Sequence, residues 1–113
     1  MMTLEQIIQS LELKVLTNHK AFDEIQPTTG YAADLLSCVM TGASRGGLWV
    51  TLQAHSNIVA VAALLELSAI IITEGAQPDE ATIQKANEED VVLLSSQQDT
   101  YRVVGRLWEL GIR

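Results

Sequence analysis

The chain has 113 residues, 48% of them hydrophobic and 19% charged, and its formal net charge is −7. This composition predicts one folded domain, residues 1–113, and excludes a disordered or low-complexity chain. Nonspecific nucleic-acid binding requires Lys and Arg side chains opposite the phosphates, so seven dispersed basic residues exclude that role. The single cysteine, Cys38, can form neither an internal disulfide nor a zinc cluster, which is typical of a reducing compartment.

The sequence shows no targeting or membrane-spanning pattern. Residues 1–5 lack a basic stretch followed by an apolar one, so we expect no signal peptide and a cytoplasmic protein. The most apolar stretch, 58–72, is shorter than the roughly 18 residues that a membrane span needs. It also contains Glu66, so we expect no membrane partner.

The chain divides into short segments with helical or strand patterns. Thr3 and Gln6 have capping-box spacing, and apolar residues at helical spacing follow. Asp34 and Ser56–Asn57 are predicted to cap two later helices. The predicted elements, in chain order, are a helix at 4–11, strands at 14–16 and near 30–32, a helix through 35–39, a strand at 48–52, a helix at 58–67, a strand at 69–72, a helix at 78–87, a strand at 91–94 and a last helix from Thr100 that Gly111 ends.

From residue 48 onward, strands and helices alternate. This order predicts parallel strands joined by right-handed crossovers. The strand segments are continuous apolar runs, as expected when helices cover both faces of a sheet. We therefore predict an α/β fold: a single three-layer domain with a mainly parallel sheet and helices on both faces.

The predicted helix at 58–67 is apolar on nearly all sides, and only Glu66 interrupts it. An ordinary surface helix buries one stripe. This helix must therefore either pack against two layers or be covered by another chain, and we expect a homodimer. Cys38 and Trp108 are expected in the core, and Trp49 in the core or an interface.

In open parallel sheets, ligands bind beyond the carboxyl ends of the strands. The helices that follow those ends begin with unpaired N–H groups that suit an anion. We expect a ligand there, and neither a cofactor nor a metal. The predicted ligand-binding residues are Gln53, His55, Ser56, Thr73, Glu74, Gly75, Ser95, Ser96, Asp99 and Thr100.

Motifs of enzyme active sites are missing from the sequence. His55 has no acidic residue within one helical turn, and no G-x-S-x-G nucleophile elbow occurs. The glycines at 42–47 match neither G-x-G-x-x-G nor the phosphate-binding loop of kinases. The acidic run Glu88–Asp90 lacks the ligand spacing of a calcium loop. We therefore expect no kinase activity and no catalytic residue.

The second half of the chain contains a series of short motifs: the strand Ile70–Ile72 with Thr73-Glu74-Gly75, then Pro78-Asp79, the strand Val91–Leu94 and Asp99-Thr100-Tyr101. In this order the motifs resemble the DRTGG domain. In the first half, Gly30-Tyr31 and the segment 34–40 are similar to free-standing members of that family. The resemblance implies a fold like the N-terminal, non-kinase domain of HPr kinase/phosphorylase. It also implies a regulatory, dimer-forming module without catalysis, and a nucleotide as ligand.

Two positions depart from the family pattern. The Asp-Arg pair of the family falls at Ala54-His55, and the middle glycine of Thr-Gly-Gly is Glu74. A carboxylate at this turn would repel a phosphate placed there.

Our leading hypothesis is a homodimeric regulatory or ligand-sensing module that binds a nucleotide or small metabolite. One alternative is a structural partner subunit of a larger metabolic or redox complex. A second is a small transferase-type enzyme that uses His55 with Glu74 or Asp99.

Overall fold

The computed structural model describes residues 2–113, and its elements follow the predicted order closely. Thr3 forms the predicted capping box, because its hydroxyl accepts from the N–H of Gln6, and the Gln6 side chain accepts from the N–H of Thr3 at 2.9 Å. The elements are α1 (Leu4–Leu11), β1 (Lys14–Val15), a 3-10 helix (Phe22–Glu24), β2 (Gly30–Ala32), α2 (Leu36–Gly42), β3 (Leu48–Thr51), α3 (Asn57–Leu65), β4 (Ala69–Ile72), α4 (Glu80–Glu88), β5 (Leu93–Ser95) and α5 (Thr100–Glu109).

The five strands form one sheet in the order β1-β5-β4-β3-β2. β2, β3, β4 and β5 pair in parallel, and β1 pairs antiparallel with β5 at one edge. The predicted α/β class with a mainly parallel sheet is thus confirmed.

The core has two layers, one on each face of the sheet. The side chains of α1 and α5 pack on one face, and those of α2, α3 and α4 pack on the other. β4 lies in the middle and contributes to both layers, with Ile71 on the first face and Ile70 and Ile72 on the second. Successive strand residues point to opposite faces, so a strand covered on both sides is apolar throughout.

The all-round apolar character of α3 follows mainly from its position. α3 contacts α2 on one side and α4 on the other, and Ile58, Val59 and Ala62 are buried against the sheet. Of its large side chains, Leu64 remains 68% exposed. Packing within the chain therefore accounts for most of the pattern from which a dimer was expected.

Two residues expected in the core are exposed. Cys38 lies on the outer side of α2, which buries only Val39. Trp108 is 58% exposed because Val103 and Leu107 form the buried stripe of α5. The Arg113 guanidinium lies 5.3 Å from the centre of the Trp108 ring.

Trp49 is in the core, as expected, with no exposed surface. Its indole N–H donates to the carbonyl of Ala33 at 2.9 Å. This hydrogen bond satisfies the polar atom that burial removes from water.

Two residues predicted as caps make no capping hydrogen bond. α2 begins after Leu35 without a side-chain cap, because the Asp34 carboxylate turns toward β3 instead. Ser56 occupies the cap position of α3, but its hydroxyl makes no capping hydrogen bond.

Within residues 2–113, no helix has the length and apolar character of a membrane crossing.

Candidate functional site

The carboxyl ends of β2, β3, β4 and β5 meet along one edge of the sheet, since these strands run in parallel. We call this edge the rim. It comprises Asp34, the segment 51–56, the segment 73–75 and the segment 95–100. All ten predicted ligand-binding residues lie in these segments.

Three threonines connect neighbouring parts of the rim. Thr51 and Thr73 have no exposed surface, although both are polar. The Thr73 hydroxyl lies 2.6 Å from that of Thr100 and 3.3 Å from the carbonyl of Thr51. The ends of β3 and β4 and the start of α5 are therefore held in register by side-chain hydroxyl groups.

Asp34 is a rim residue that sequence reasoning assigned to a helix cap. Its Oδ1 accepts from the Thr51 hydroxyl at 2.8 Å and from the N–H of Leu52 at 2.9 Å. The side-chain amide of Gln53 donates to the Asp34 carbonyl at 3.1 Å. The sequence could have predicted Asp34 as a rim residue, because Asp34 follows the end of β2 just as Gln53 follows the end of β3.

Glu74 occupies a turn that favours glycine. Its φ is 63°, in the left-handed region, and that of the next residue, Gly75, is 69°. The N–H of Glu74 donates to the carbonyl of Gln98 at 2.8 Å, and the N–H of Gly75 donates to that of Ser96 at 3.1 Å. The loops after β4 and β5 are thereby joined through their backbones.

The Glu74 carboxylate reaches the start of α5. Its Oε2 accepts from the N–H of Thr100 at 2.8 Å. The first N–H groups of a helix are the positions that suit an anion. The chain's own carboxylate therefore takes a place that a phosphate of a ligand could otherwise occupy.

His55 is exposed and turned toward the start of α3, where its Nδ1 accepts from the N–H of Asn57 at 3.2 Å. The transferase hypothesis paired His55 with Glu74 or Asp99. Neither carboxylate is ion-paired with His55: Glu74 accepts from Thr100, and Asp99 pairs with Arg102.

Asp99 and Asp79 cap the helices that begin near the rim. The N–H and the guanidinium of Arg102 lower the pKa of Asp99 below its ordinary value. The hydroxyl of Thr82, followed by its N–H, lowers the pKa of Asp79, with a smaller contribution from the charge of His55. Both side chains therefore serve α5 and α4 as N-caps.

The remaining predicted residues are bound into the structure. Ser95 and Ser96 are buried, and the Ser96 hydroxyl accepts from the N–H of Gln98 at 3.0 Å. Every buried side-chain N and O atom in the part of the chain that the structure describes has a hydrogen-bond partner. Across residues 2–113, no three His, Cys, Asp or Glu side chains cluster as metal ligands.

A family match covers the rim together with most of the rest of the chain. A family model, the DRTGG domain, matches residues 6–110. The chain belongs to the DRTGG domain family. This confirms the resemblance based on Thr73-Glu74-Gly75 and the strands around it.

A solved structure shares the fold of this DRTGG domain. It contains the CBS and DRTGG domains of the regulatory region of Clostridium perfringens pyrophosphatase, complexed with the activator diadenosine tetraphosphate. The TM-score is 0.71 at 17% sequence identity. The match covers 91% of the present chain and 44% of the other, so this DRTGG domain corresponds to less than half of that chain. No curated protein has a matching sequence.

Proposed function

We propose that this DRTGG domain, residues 1–113, is a non-catalytic regulatory module. It senses a nucleotide or a small metabolite at the rim and acts as a homodimer. The observation that carries the proposal is the convergence of Gln53, His55, Glu74 and Thr100, from the ends of three strands, on one edge of a rigid sheet.

The rim offers recognition groups of several kinds. His55 and Gln53 are at least partly accessible, and both lie beside the start of α3. Thr100 and Glu74 lie at the start of α5. Imidazole, amide and hydroxyl groups suit the base and the ribose of a nucleotide.

The solved structure with the same fold supports this ligand class. That structure is of a regulatory region that contains CBS and DRTGG domains and is complexed with the activator diadenosine tetraphosphate. We infer that this chain shares with that protein a regulatory role and a nucleotide as the class of ligand.

The geometry supports binding rather than catalysis. A general base needs a partner that orients it within hydrogen-bond distance. His55 instead accepts a backbone hydrogen bond, and the two carboxylates proposed as partners are engaged by Thr100 and Arg102.

A structural partner subunit of a larger complex is the second candidate function. Exposed apolar and aromatic side chains on two helices favour it: Leu64 on α3, and Tyr101 and Trp108 on α5. Ligand screening separates the two functions, because only the sensor requires a small molecule at the rim.

The test is a thermal-shift screen of the pure protein against nucleotides and acyl or phosphoryl metabolites. A ligand at about 100 times its Kd adds about 2.7 kcal/mol to the stability of the folded state. For a chain of this size, that raises the melting temperature by about 10 °C.

His55→Ala is expected to weaken the binding of a ligand found in this screen, and the matched control is His19→Ala in the loop before the 3-10 helix. Titration calorimetry measures both. If no compound shifts the melting temperature, or if both variants bind like the wild type, the rim is not the sensing site. Turnover of any ligand by the pure protein would contradict the non-catalytic role.

A further inference from the structure

The outer face of α5 has the composition of a protein interface. Tyr101 is 87% exposed and Trp108 is 58% exposed, while Arg102 and Glu109 are also exposed beside them. Trp, Tyr and Arg are the residues that most often dominate binding energy in interfaces. Tyr101, Arg102 and Glu109 line a shallow depression around Gly105, and Trp108 lies outside it on the same helix.

Nothing within the chain explains why position 105 is a glycine. It is exposed in the interior of α5, its φ is not in the left-handed region, and a Cβ added to it would meet nothing within 4 Å. A glycine inside a helix is less stable there than alanine. The missing side chain is explained if the backbone of another molecule approaches α5 at this point.

The charge of this segment also suits a second copy. Residues 99–113 carry three arginines against Asp99 and Glu109, whereas the whole chain has a net charge of −7. Two acidic molecules repel one another least where the local charge is close to neutral. Glu109 makes no ion pair in the part of the chain that the structure describes.

We propose that two copies of this chain dimerise through α5, with the two helices antiparallel and crossing at Gly105. A two-fold axis through this crossing places residues equally far before and after Gly105 at the same height. With a rise of about 1.5 Å per residue, position 101 then lies within about 1.5 Å of the height of position 108 of the partner, and position 102 lies equally close to position 109 of the partner.

The two sides of the helix face are complementary under this symmetry. At 100° per residue, Tyr101 and Trp108 lie on one side of Gly105, and Arg102 and Glu109 lie on the other. The two-fold axis places each side of this face against the same side of the partner helix. Tyr101 therefore faces Trp108 of the partner subunit, and Arg102 faces Glu109 of the partner subunit, each pair occurring twice.

Both contacts have groups available to make them, since Trp108 remains more than half exposed beside Arg113. Arg102 already binds Asp99, but a guanidinium has five N–H donors and can bind a second carboxylate. Two aromatic pairs and two ion pairs around a glycine crossing form a self-complementary interface. This inference rests on the homodimer of the proposed function and specifies its surface.

The first test is sedimentation of the full chain at micromolar concentration, for the wild type and for Gly105→Leu. The wild type is expected to be a dimer. Gly105→Leu is expected to weaken dimerisation by about tenfold or more, since it fills the crossing point. The melting temperature of the dilute monomer should not fall, because the added side chain meets no atom of its own chain.

The matched control is Leu64→Ala, which removes an exposed apolar side chain from α3. Its dimer should be as stable as that of the wild type. A dimer that Leu64→Ala weakens and Gly105→Leu leaves intact would place the interface on α3 and overturn the proposal.

The second test uses charge reversal. Arg102→Glu places like charges opposite each other in its own dimer, and so does Glu109→Arg. Each variant alone should be mainly monomeric. Mixed one to one, they should form a heterodimer, because both facing pairs are then Glu with Arg.

A monomeric wild type, or variants that fail to associate on mixing, would overturn the α5 interface. Neither result affects ligand binding at the rim, which the thermal-shift screen measures independently. Conversely, if the screen finds no ligand but the protein is a dimer, the α5 interface is still supported.

Discussion

Glu74 shows how one residue can change what a turn does. The family pattern resembled here has glycine at this position, and the φ of 63° explains why glycine suits it. In this chain the side chain folds back onto the N–H of Thr100 at the start of α5. The position that would attract an external anion is thus supplied with an internal one.

We expect Glu74→Gly to strengthen the binding of a phosphate-bearing nucleotide at the rim by about five- to tenfold. The substitution removes a negative charge and frees the Thr100 N–H for the ligand. Glu12→Gly is the matched control, since Glu12 also has a positive φ of 53° but caps α1. Calorimetric titration of both variants provides the comparison.

Equal affinities for Glu74→Gly, Glu12→Gly and the wild type would show that no phosphate binds at the start of α5. A gain in both variants would instead indicate a general effect of the net charge.

At the scale of elements, α4 and α5 begin in the same way. Asp79 and Asp99 each accept the N–H of the residue three positions later, from Thr82 and Arg102, at 2.8 Å. The hydroxyl and the N–H of Thr82 favour the ionised form of Asp79, and the N–H and the guanidinium of Arg102 favour that of Asp99, so the pKa of each aspartate lies below its ordinary value of 3.8. The stabilisation of both helices by their N-caps therefore depends on pH.

We expect the free energy of unfolding to fall as the pH is lowered from about 5 toward 2. A carboxyl group whose pKa is lower in the folded state stabilises that state above its unfolded pKa. This contribution is lost as the pH falls through the folded value. Urea denaturation at a series of pH values measures the loss.

Asp99→Asn serves as the comparison for this pH series. Asparagine is also a good cap but does not titrate. The variant should therefore lose less stability than the wild type over the same pH range. Parallel curves for the two proteins would exclude Asp99 as a source of the pH dependence.

At the scale of the whole molecule, β4 joins the two core layers. Ile71 packs with the α1 and α5 side, and its neighbours in the strand pack with the other three helices. A substitution in β4 therefore affects the packing on both faces of the sheet, and we expect the two layers to unfold together.

Ile71→Ala is expected to lower the free energy of unfolding by about 2–5 kcal/mol, since it leaves a cavity beside a residue with no exposed surface. Urea denaturation should give one transition by both circular dichroism and tryptophan fluorescence. Leu64→Ala, at an exposed site, should change stability by less than about 0.5 kcal/mol. Two separated transitions would mean that the layers are independent.

Much of this fold could be predicted from local patterns. The capping box at Thr3, the continuous apolar strands and the alternation of strands with helices are properties of consecutive residues. Such patterns predict which segments are helices or strands, and parallel pairing then places Gln53, Thr73 and Thr100 at one edge. The family resemblance rests on the same local runs.

The contacts that give the rim its chemistry depended on the tertiary structure. The antiparallel pairing of β1 with β5, the hydrogen bond from Thr51 to Asp34 and the reach of Glu74 to Thr100 all join residues distant in sequence. The exposure of Trp108 likewise depends on how α5 is rotated against the sheet. Periodicity along the chain determines which residues share a face, whereas the packing of separate elements decides what that face meets.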